Sequence, residues 1–344
     1  MTIKLTPGEI YFIREKDILT NEKTSYVKVG LVKEKVDRDS ENRLAEHQTG
    51  NPRELSVFKV IETPAVSEIE KMLHGIFATN RVNGEWFNFT DDQLSQCIEE
   101  AEALVKEAES NLEFFSEQDK LSKVLSSGEV KQPTDEIAKF HHEYLCADIE
   151  KKSCNPIIKK VKEILGEAVD QGEEGADELA TVRESERKTF SKEDFQNSYP
   201  DLWEKYLTRE EKISGSFRWT QPKDFQEDLS VINPELDTLI KEISEIITVA
   251  EERQGSIETL HQLRVQLIGY ETRANWRMKI AKANVAVFCG RSPEVEGICK
   301  WTRESKMYET FEKNKFKEEN PAIYEEFTST TIGSRTRVRR SGRN

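Results

Sequence analysis

The stretch SYVKVGLV, Ser25 to Val32, alternates in polarity and is rich in β-branched valine, the pattern of a strand with one buried face. Upstream, GEIYFIRE (Gly8 to Glu15) is short, apolar and aromatic and reads as a first strand. Downstream, the polar run from Val36 to Ser40 leads into SENRLAEHQTG. There Arg43 and His47 stand four residues apart and so share one face of a helix. The NPRE segment from Asn51 breaks that helix, and LSVFKVIE (Leu55 to Glu62) is a third strand. Pro64 precedes a helix over VSEIEKMLHGIFAT, with Ile69, Met72, Leu73, Ile76 and Phe77 on its apolar face. Asn83-Gly84 marks a turn into the strand EWFNF, and TDDQLSQCIEE opens a further helix with Thr90 as N-cap and acids in the first turn. Residues 1–95 thus predict a compact unit, a small mixed sheet flanked by helices, in a chain of α+β class.

The rest of the 344 residues leaves room for one or two further domains. A charged fraction of 34% and a mean hydropathy of -0.70 describe a polar chain, while 8% aromatics, including five Trp, argue against wholesale disorder. No apolar run approaches the roughly 18 to 20 residues of a membrane span, and the start of the chain has no apolar signal core. A soluble, cytoplasmic protein with no membrane partner is expected. Cys97, Cys146, Cys154, Cys289 and Cys299 are odd in number and never form CxxC, which argues against a disulfide framework or a Cys-rich zinc site and fits a reducing compartment.

Net charge is -14, with the acids crowded into the middle of the chain. The closing SRTRVRRSGRN reverses the trend: Arg335, Arg337, Arg339, Arg340 and Arg343 have no acid among them. This end reads either as a contact to phosphate backbone or as a solubilising tail.

Residues from about 96 to 170 are charged and helical, with a break near SSGEVKQPTDE, and a second helical stretch covers Leu236 to about Val287. Alternating charge and scattered Leu and Ile suit long, partly exposed helices, an antiparallel hairpin or coiled coil, and offer a candidate surface for homo-oligomer formation. RESERKTFSKEDFQNSYPDLWEKY (from Arg183) also parallels RESKMYETFEKNKFKEENPAIYEEF (from Arg303). Phe190, Phe195, Pro200, Trp203, Glu204 and Tyr206 match Phe311, Phe316, Pro321, Tyr324, Glu325 and Phe327 at equal spacing. GEEGADELATV and EVEGICKWT, before the two copies, read as hairpin strands. The divisions expected are 1–95, then 96–225 and 226–332, each a helical segment with one repeat, then a basic tail at 333–344. The repeated aromatics suit two small cores. Arg218, Trp219, Lys300, Trp301 and Arg303, cations beside aromatics, suit stacking and phosphate contacts, with Arg337, Arg339 and Arg340 added from the tail.

Phosphodiester hydrolysis needs a group to activate water, cations facing the phosphorus, and usually a divalent metal on a carboxylate. The first unit holds candidates in Tyr11, Tyr26, Lys28, Arg43, His47, Glu70 and His74. Their order resembles the GIY-YIG nuclease superfamily, in particular the phage and bacterial branch with KIG or KVG in place of YIG. EIY at Glu9–Tyr11, KVG at Lys28–Gly30, Arg43-x-x-x-His47, TGNP, SEIEKMLHGIF and GEWF at Gly84–Phe87 follow in that order over roughly residues 8–90.

The resemblance implies a metal-dependent DNA endonuclease acting in phage biology, restriction or defence, with Mg²⁺ or Mn²⁺ as cofactor and DNA as partner. It implies that Tyr11 positions or deprotonates water, Arg43 faces the phosphate, His47 tunes the base and Glu70 binds the metal. Lys28 replaces the second tyrosine; it could hold the scissile phosphate, with Tyr26 on the same strand face supplying a phenol. His74, one turn from Glu70, and Asn88 are less certain members. Two alternatives stand beside this reading: a nucleic-acid-binding protein that does not cut, and an interaction protein acting through its long helices.

Overall fold

The computed structural model describes residues 5–34, 39–49, 51, 53–251 and 257–338. The polar run at 35–38, the helix breaker Pro52 and the cations Arg339, Arg340 and Arg343 lie outside these residues. The N-terminal unit has the expected elements, though its sheet is antiparallel throughout instead of mixed: β1 (Gly8–Lys16), β2 (Lys23–Lys33), α1 (Ser40–Gln48), β3 (Glu54–Thr63), α2 (Val66–Ile76), β4 (Arg81–Asn83) and β5 (Trp86–Asn88). The strands form one five-stranded antiparallel sheet in the order β3-β1-β2-β5-β4. Strand alternation splits their side chains between two layers. Ile10, Phe12, Val27, Val29 and Phe87 face α2, while Tyr11, Ile13, Val32 and Leu55 lie on the other side, under Leu44 of α1.

α3 (Asp91–Leu121) begins with the expected cap, completed as a capping box by Gln93. The helix continues the core of the sheet through Leu94, Cys97, Ala101 and Leu104, and Trp276 and Ile280 from far down the chain join the same cluster. The N-terminal unit therefore shares its core with the helical body. Next come α4 (Asp135–Gln171) and the one-turn α5 (Ala176–Leu179), which occupies part of the segment read as a hairpin strand.

The first repeat runs through β6 (Ala180–Phe190), α6 (Lys192–Ser198), α7 (Pro200–Lys205) and β7 (Leu207–Ser214). β8 (Arg218–Trp219), α8 (Leu229–Ile232), α9 (Pro234–Glu251) and α10 (Ile257–Cys289) follow, then the hairpin β9 (Glu294–Val295) and β10 (Cys299–Lys300). The second repeat is β11 (Glu304–Phe311), α11 (Lys313–Glu319), α12 (Pro321–Glu326) and β12 (Thr328–Val338). Leu165, Leu236, Ile243, Leu260 and Leu267 bind α4, α9 and α10 into a second core.

The helix α2 is seated on α10 by glycine. A Cβ on Gly75 would come within 2.2 Å of Gly269 Cα, so the two backbones meet where neither residue carries a side chain. This contact fixes the helix that carries Glu70 and His74.

The two repeats do not form two cores. β6 pairs with β12 and β7 with β11, so each copy gives one strand to each of two long ribbons. The registers are symmetric: Phe190 lies opposite Thr328, and its repeat mate Phe311 lies opposite Leu207. Beyond the ribbons a single aromatic core holds Phe190, Phe195, Tyr206, Phe311, Phe316 and Tyr324. Repeat mates touch each other across the local twofold axis, Phe195 and Phe316 at 4.6 Å and Phe190 and Phe311 at 6.0 Å. Equivalent stacks, Trp203 on Phe311 and Phe190 on Tyr324, flank the axis.

The basic tail also differs from expectation, because Arg335 and Arg337 belong to β12. All five cysteines are free and buried. Among the described residues no helix is long and apolar enough to cross a membrane.

Candidate active site

Tyr11 is the centre of a polar group set into the sheet face under α1. It is fully buried on β1, directly opposite Gly30 on β2. A Cβ on Gly30 would sit 2.4 Å from the Tyr11 hydroxyl oxygen, so the glycine of KVG is there because the phenol ring lies across its backbone. The hydroxyl is 3.4 Å from Nε2 of His47, and the nearby Arg43 guanidinium pulls its titration down. The four-residue spacing on α1 presents both groups to the phenol. Arg43 is steadied by Glu46 one turn on; burial works to lower it, but the pull of Tyr11 and Glu46 wins and holds it firmly charged.

Four further residues complete the group. Lys28, nearly buried on β2, makes a 2.7 Å ion pair with Glu85. Glu70 and His74, both buried, project from successive turns of α2, and His74 Nε2 is 2.8 Å from the Val29 carbonyl. The Val29 amide in turn donates to the Glu85 carbonyl at 2.9 Å, which anchors Glu85 beside β2.

These groups perturb one another. Burial, then the charge of Glu85 and with it that of Glu70, pushes the Tyr11 phenol up to about 12 against the opposing pull of Arg43. Burial, then the charges of Lys28 and Arg43, holds His47 below its ordinary value, so the imidazole is neutral at neutral pH. Burial works to raise Glu85, but the hydrogen bond and charge of Lys28, with His74 and Arg43, keep its carboxyl below the usual range.

Of the residues predicted from scattered positions, Arg43, His47 and Glu70 act on the Tyr11 phenol, Lys28 acts on His47 and Glu85, and His74 acts on Glu85. Glu85 was missed. It lay within the quoted GEWF, read only as a closing turn and strand; the signal was its place one residue before Trp86, which pairs with Lys28. Tyr26 and Asn88 face each other at the exposed end of the β2–β5 ladder, away from the phenol. A cleft of about 500 Å³ elsewhere on the sheet is lined by Glu9, Glu34, Glu62 and Glu109 and holds none of these residues. Four carboxylates make it unfit for a phosphate.

Within the aromatic and cationic set of the C-terminal half, Trp301 and Arg303 belong to a small core, while Arg218 and Lys300 are exposed and face each other across β8 and β10. Trp301 is buried with the Arg303 guanidinium 3.9 Å above its ring. Arg303 is 1% exposed, and its nitrogens donate to the carbonyls of Leu121 at 2.8 Å and Gly290 at 2.7 Å, tying together the ends of α3 and α10. Trp219 stacks on Tyr144 at 4.0 Å, and Lys300 pairs with Glu294.

One further group has metal-ligand types: His142 and Cys146 on α4 meet Glu227 from the loop before α8. His142 Nε2 is 2.6 Å from one carboxylate oxygen and Cys146 Sγ 3.5 Å from the other, contacts that tie the loop to α4.

The fold and this cluster describe a small α/β domain with a polar group on its sheet, joined to a helical body. Residues 8–102 match the T5orf172 domain, a phage-associated domain with a nuclease-like context. No curated protein and no solved structure matches the chain.

Proposed function

We propose that the N-terminal domain is a metal-dependent DNA endonuclease of the GIY-YIG type, hydrolysing a phosphodiester by in-line attack of water. The observation that carries the reading is the Tyr11 phenol, which is coupled at once to His47, Arg43, Glu70 and Glu85. The T5orf172 match over the same residues supports a nuclease context.

The chemistry follows from the charges. Arg43 offers a fork of donors to the phosphate oxygens and gains most as their charge grows. His47, neutral and within reach of the phenol, accepts a proton at Nε2, so Tyr11 and His47 together can take the proton of an attacking water. Lys28 is committed to Glu85, which sets the charge of that carboxylate and replaces the phosphate contact read from the sequence.

The cations Lys28 and Arg43 are offset by the carboxylates of Glu70 and Glu85, so an entering phosphate meets little net positive charge. A hard divalent cation fits this oxygen donor set: Glu70 would hold it, with Glu85 alongside, and Mg²⁺ or Mn²⁺ would supply the missing positive charge.

The test is cleavage of plasmid and linear DNA by the full chain, with and without Mg²⁺ or Mn²⁺, beside Glu70→Gln. Metal-dependent cutting that falls on the order of a thousandfold in the variant is expected. DNA bound by both proteins and cut by neither would contradict it and favour a binding domain, the reading to which the engaged Lys28–Glu85 pair points.

A further inference from the structure

The two ribbons that carry the aromatic core are related by the repeat, yet their charges are arranged in opposite ways. On the β7–β11 ribbon every cation is neutralised locally. Arg209 pairs with Glu309 at 2.8 Å, Lys212 with Glu210 at 2.6 Å and Lys306 with Glu304 at 3.7 Å. On the β6–β12 ribbon the acids are confined to one face. Its register runs without a shift from Phe190 opposite Thr328 to Ala180 opposite Val338, so paired residues share a face along the whole length.

One face carries the acids Glu184 and Glu186 with Lys188, which pairs with Glu325 at 4.0 Å, and is turned toward the protein at both ends. Ala180 and Val338 enter the helical core, Thr336 packs where Gly166 of α4 has no side chain, and Phe190 enters the aromatic core. The opposite face carries Arg183, Arg187, Arg335 and Arg337 and no acid; all four are exposed. Among the described residues none of these four forms an ion pair. Arg183 lies directly opposite Arg335, a like-charge cross-strand pair that costs stability in the free protein. Between the arginines, Ser185 faces Gly333, so the middle of the face is low.

We propose that this arginine face binds the phosphate backbone of duplex DNA. Arg335 and Arg337 stand two residues apart, about 7 Å, and Arg183 and Arg187 four apart, about 13 Å, on strands about 5 Å from each other. That grid spans several phosphates of a duplex, and a two-stranded ribbon is narrow enough to follow a major groove. Arginine forks pair with phosphate oxygens, and the Arg183–Arg335 repulsion is relieved when an anion sits between them. The choice of duplex DNA over other polyanions rests on the nuclease reading of the N-terminal domain; the face itself does not.

The test uses the full chain in EDTA, which prevents cutting, and fluorescence anisotropy with a labelled duplex from about 50 to 200 mM salt. Replacing Arg183, Arg187, Arg335 and Arg337 together by Gln is expected to weaken binding at least about tenfold and flatten the log–log salt slope by about 3 to 4. Its melting temperature should hold or rise, because a like-charge pair is removed. The opposite-face variant Glu184→Gln with Glu186→Gln should keep the slope. An arginine variant with wild-type affinity and slope overturns the proposal. So does one that loses only single-stranded RNA binding while duplex binding stays intact. Wild type that never cuts DNA with metal, while the arginine variant still loses the salt slope, removes the nuclease reading and leaves the ribbon as a DNA contact.

Discussion

The polar group around Tyr11 and the aromatic core of the repeats are built on opposite principles. In the repeat core, Phe and Tyr from both copies stack on one another, and the Tyr206 hydroxyl is satisfied, lying between Glu319 at 2.5 Å and Asn320 at 2.8 Å. Around Tyr11 the protein instead brings together a buried phenol and lysine with a half-buried imidazole and carboxylate, and accepts shifted protonation as the cost. A chain does not assemble such a cluster for stability, since apolar packing of the same volume is at least as stable. The contrast separates residues that serve the fold from residues that are candidates for chemistry.

The largest effect should break the repeat core. Phe195→Ala removes a fully buried ring from the twofold axis and should cost about 3–5 kcal/mol in urea unfolding of that part of the molecule. Metal-dependent cutting per folded molecule should stay within about twofold at saturating metal, because no residue near Tyr11 is touched.

A smaller stability cost with a larger catalytic one is expected on the other side. Gly30→Ala forces a methyl group into the Tyr11 hydroxyl and should cost about 1–3 kcal/mol. Displacing the phenol should also lower cleavage by roughly tenfold to a hundredfold, read from single-turnover rates.

The smallest effect is a pH dependence that the repeat core lacks. Tyr11 is raised to about 12 in the fold, so the stability tied to its neutral phenol is whole below its unfolded value near 10 and is lost as pH rises toward 12. By about pH 11 wild type should have lost about 1.4 kcal/mol relative to Tyr11→Phe, measured by thermal melting. His47 has the opposite sense: its value is lowered, so stability present above about 6.5 declines as pH falls below it.

The N-terminal elements were legible in the sequence because each has a local signature. The alternation of SYVKVGLV, the glycine turn and the Thr90 cap are short-range signals, and they placed β1, β2, α1, β3, α2 and the start of α3. The site was legible through the order of its motifs. Glu85 was not, because only the pairing of β2 with β5 brings it to Lys28. The repeat was visible as a repeat, but the exchange of strands between copies was not, since partners such as Arg183 and Arg335 are far apart in the chain and no local pattern encodes their pairing. Arg303 misled for a related reason: beside Trp301 it resembled a binding pair, and only the carbonyls of Leu121 and Gly290, from distant helices, reveal it as a structural tie.

The claim beneath all of this is that one cation-binding carboxylate and the Tyr11–His47 pair share a single small space. Paramagnetic broadening by Mn²⁺ in selectively labelled full-length protein reads that proximity directly. The Tyr11 and His47 ring signals should broaden in wild type and stay sharp in Glu70→Gln, while the buried ring of His261 in the helical body is unaffected in both. Sharp Tyr11 and His47 signals in wild type at saturating Mn²⁺, or equal broadening in the variant, would contradict the account.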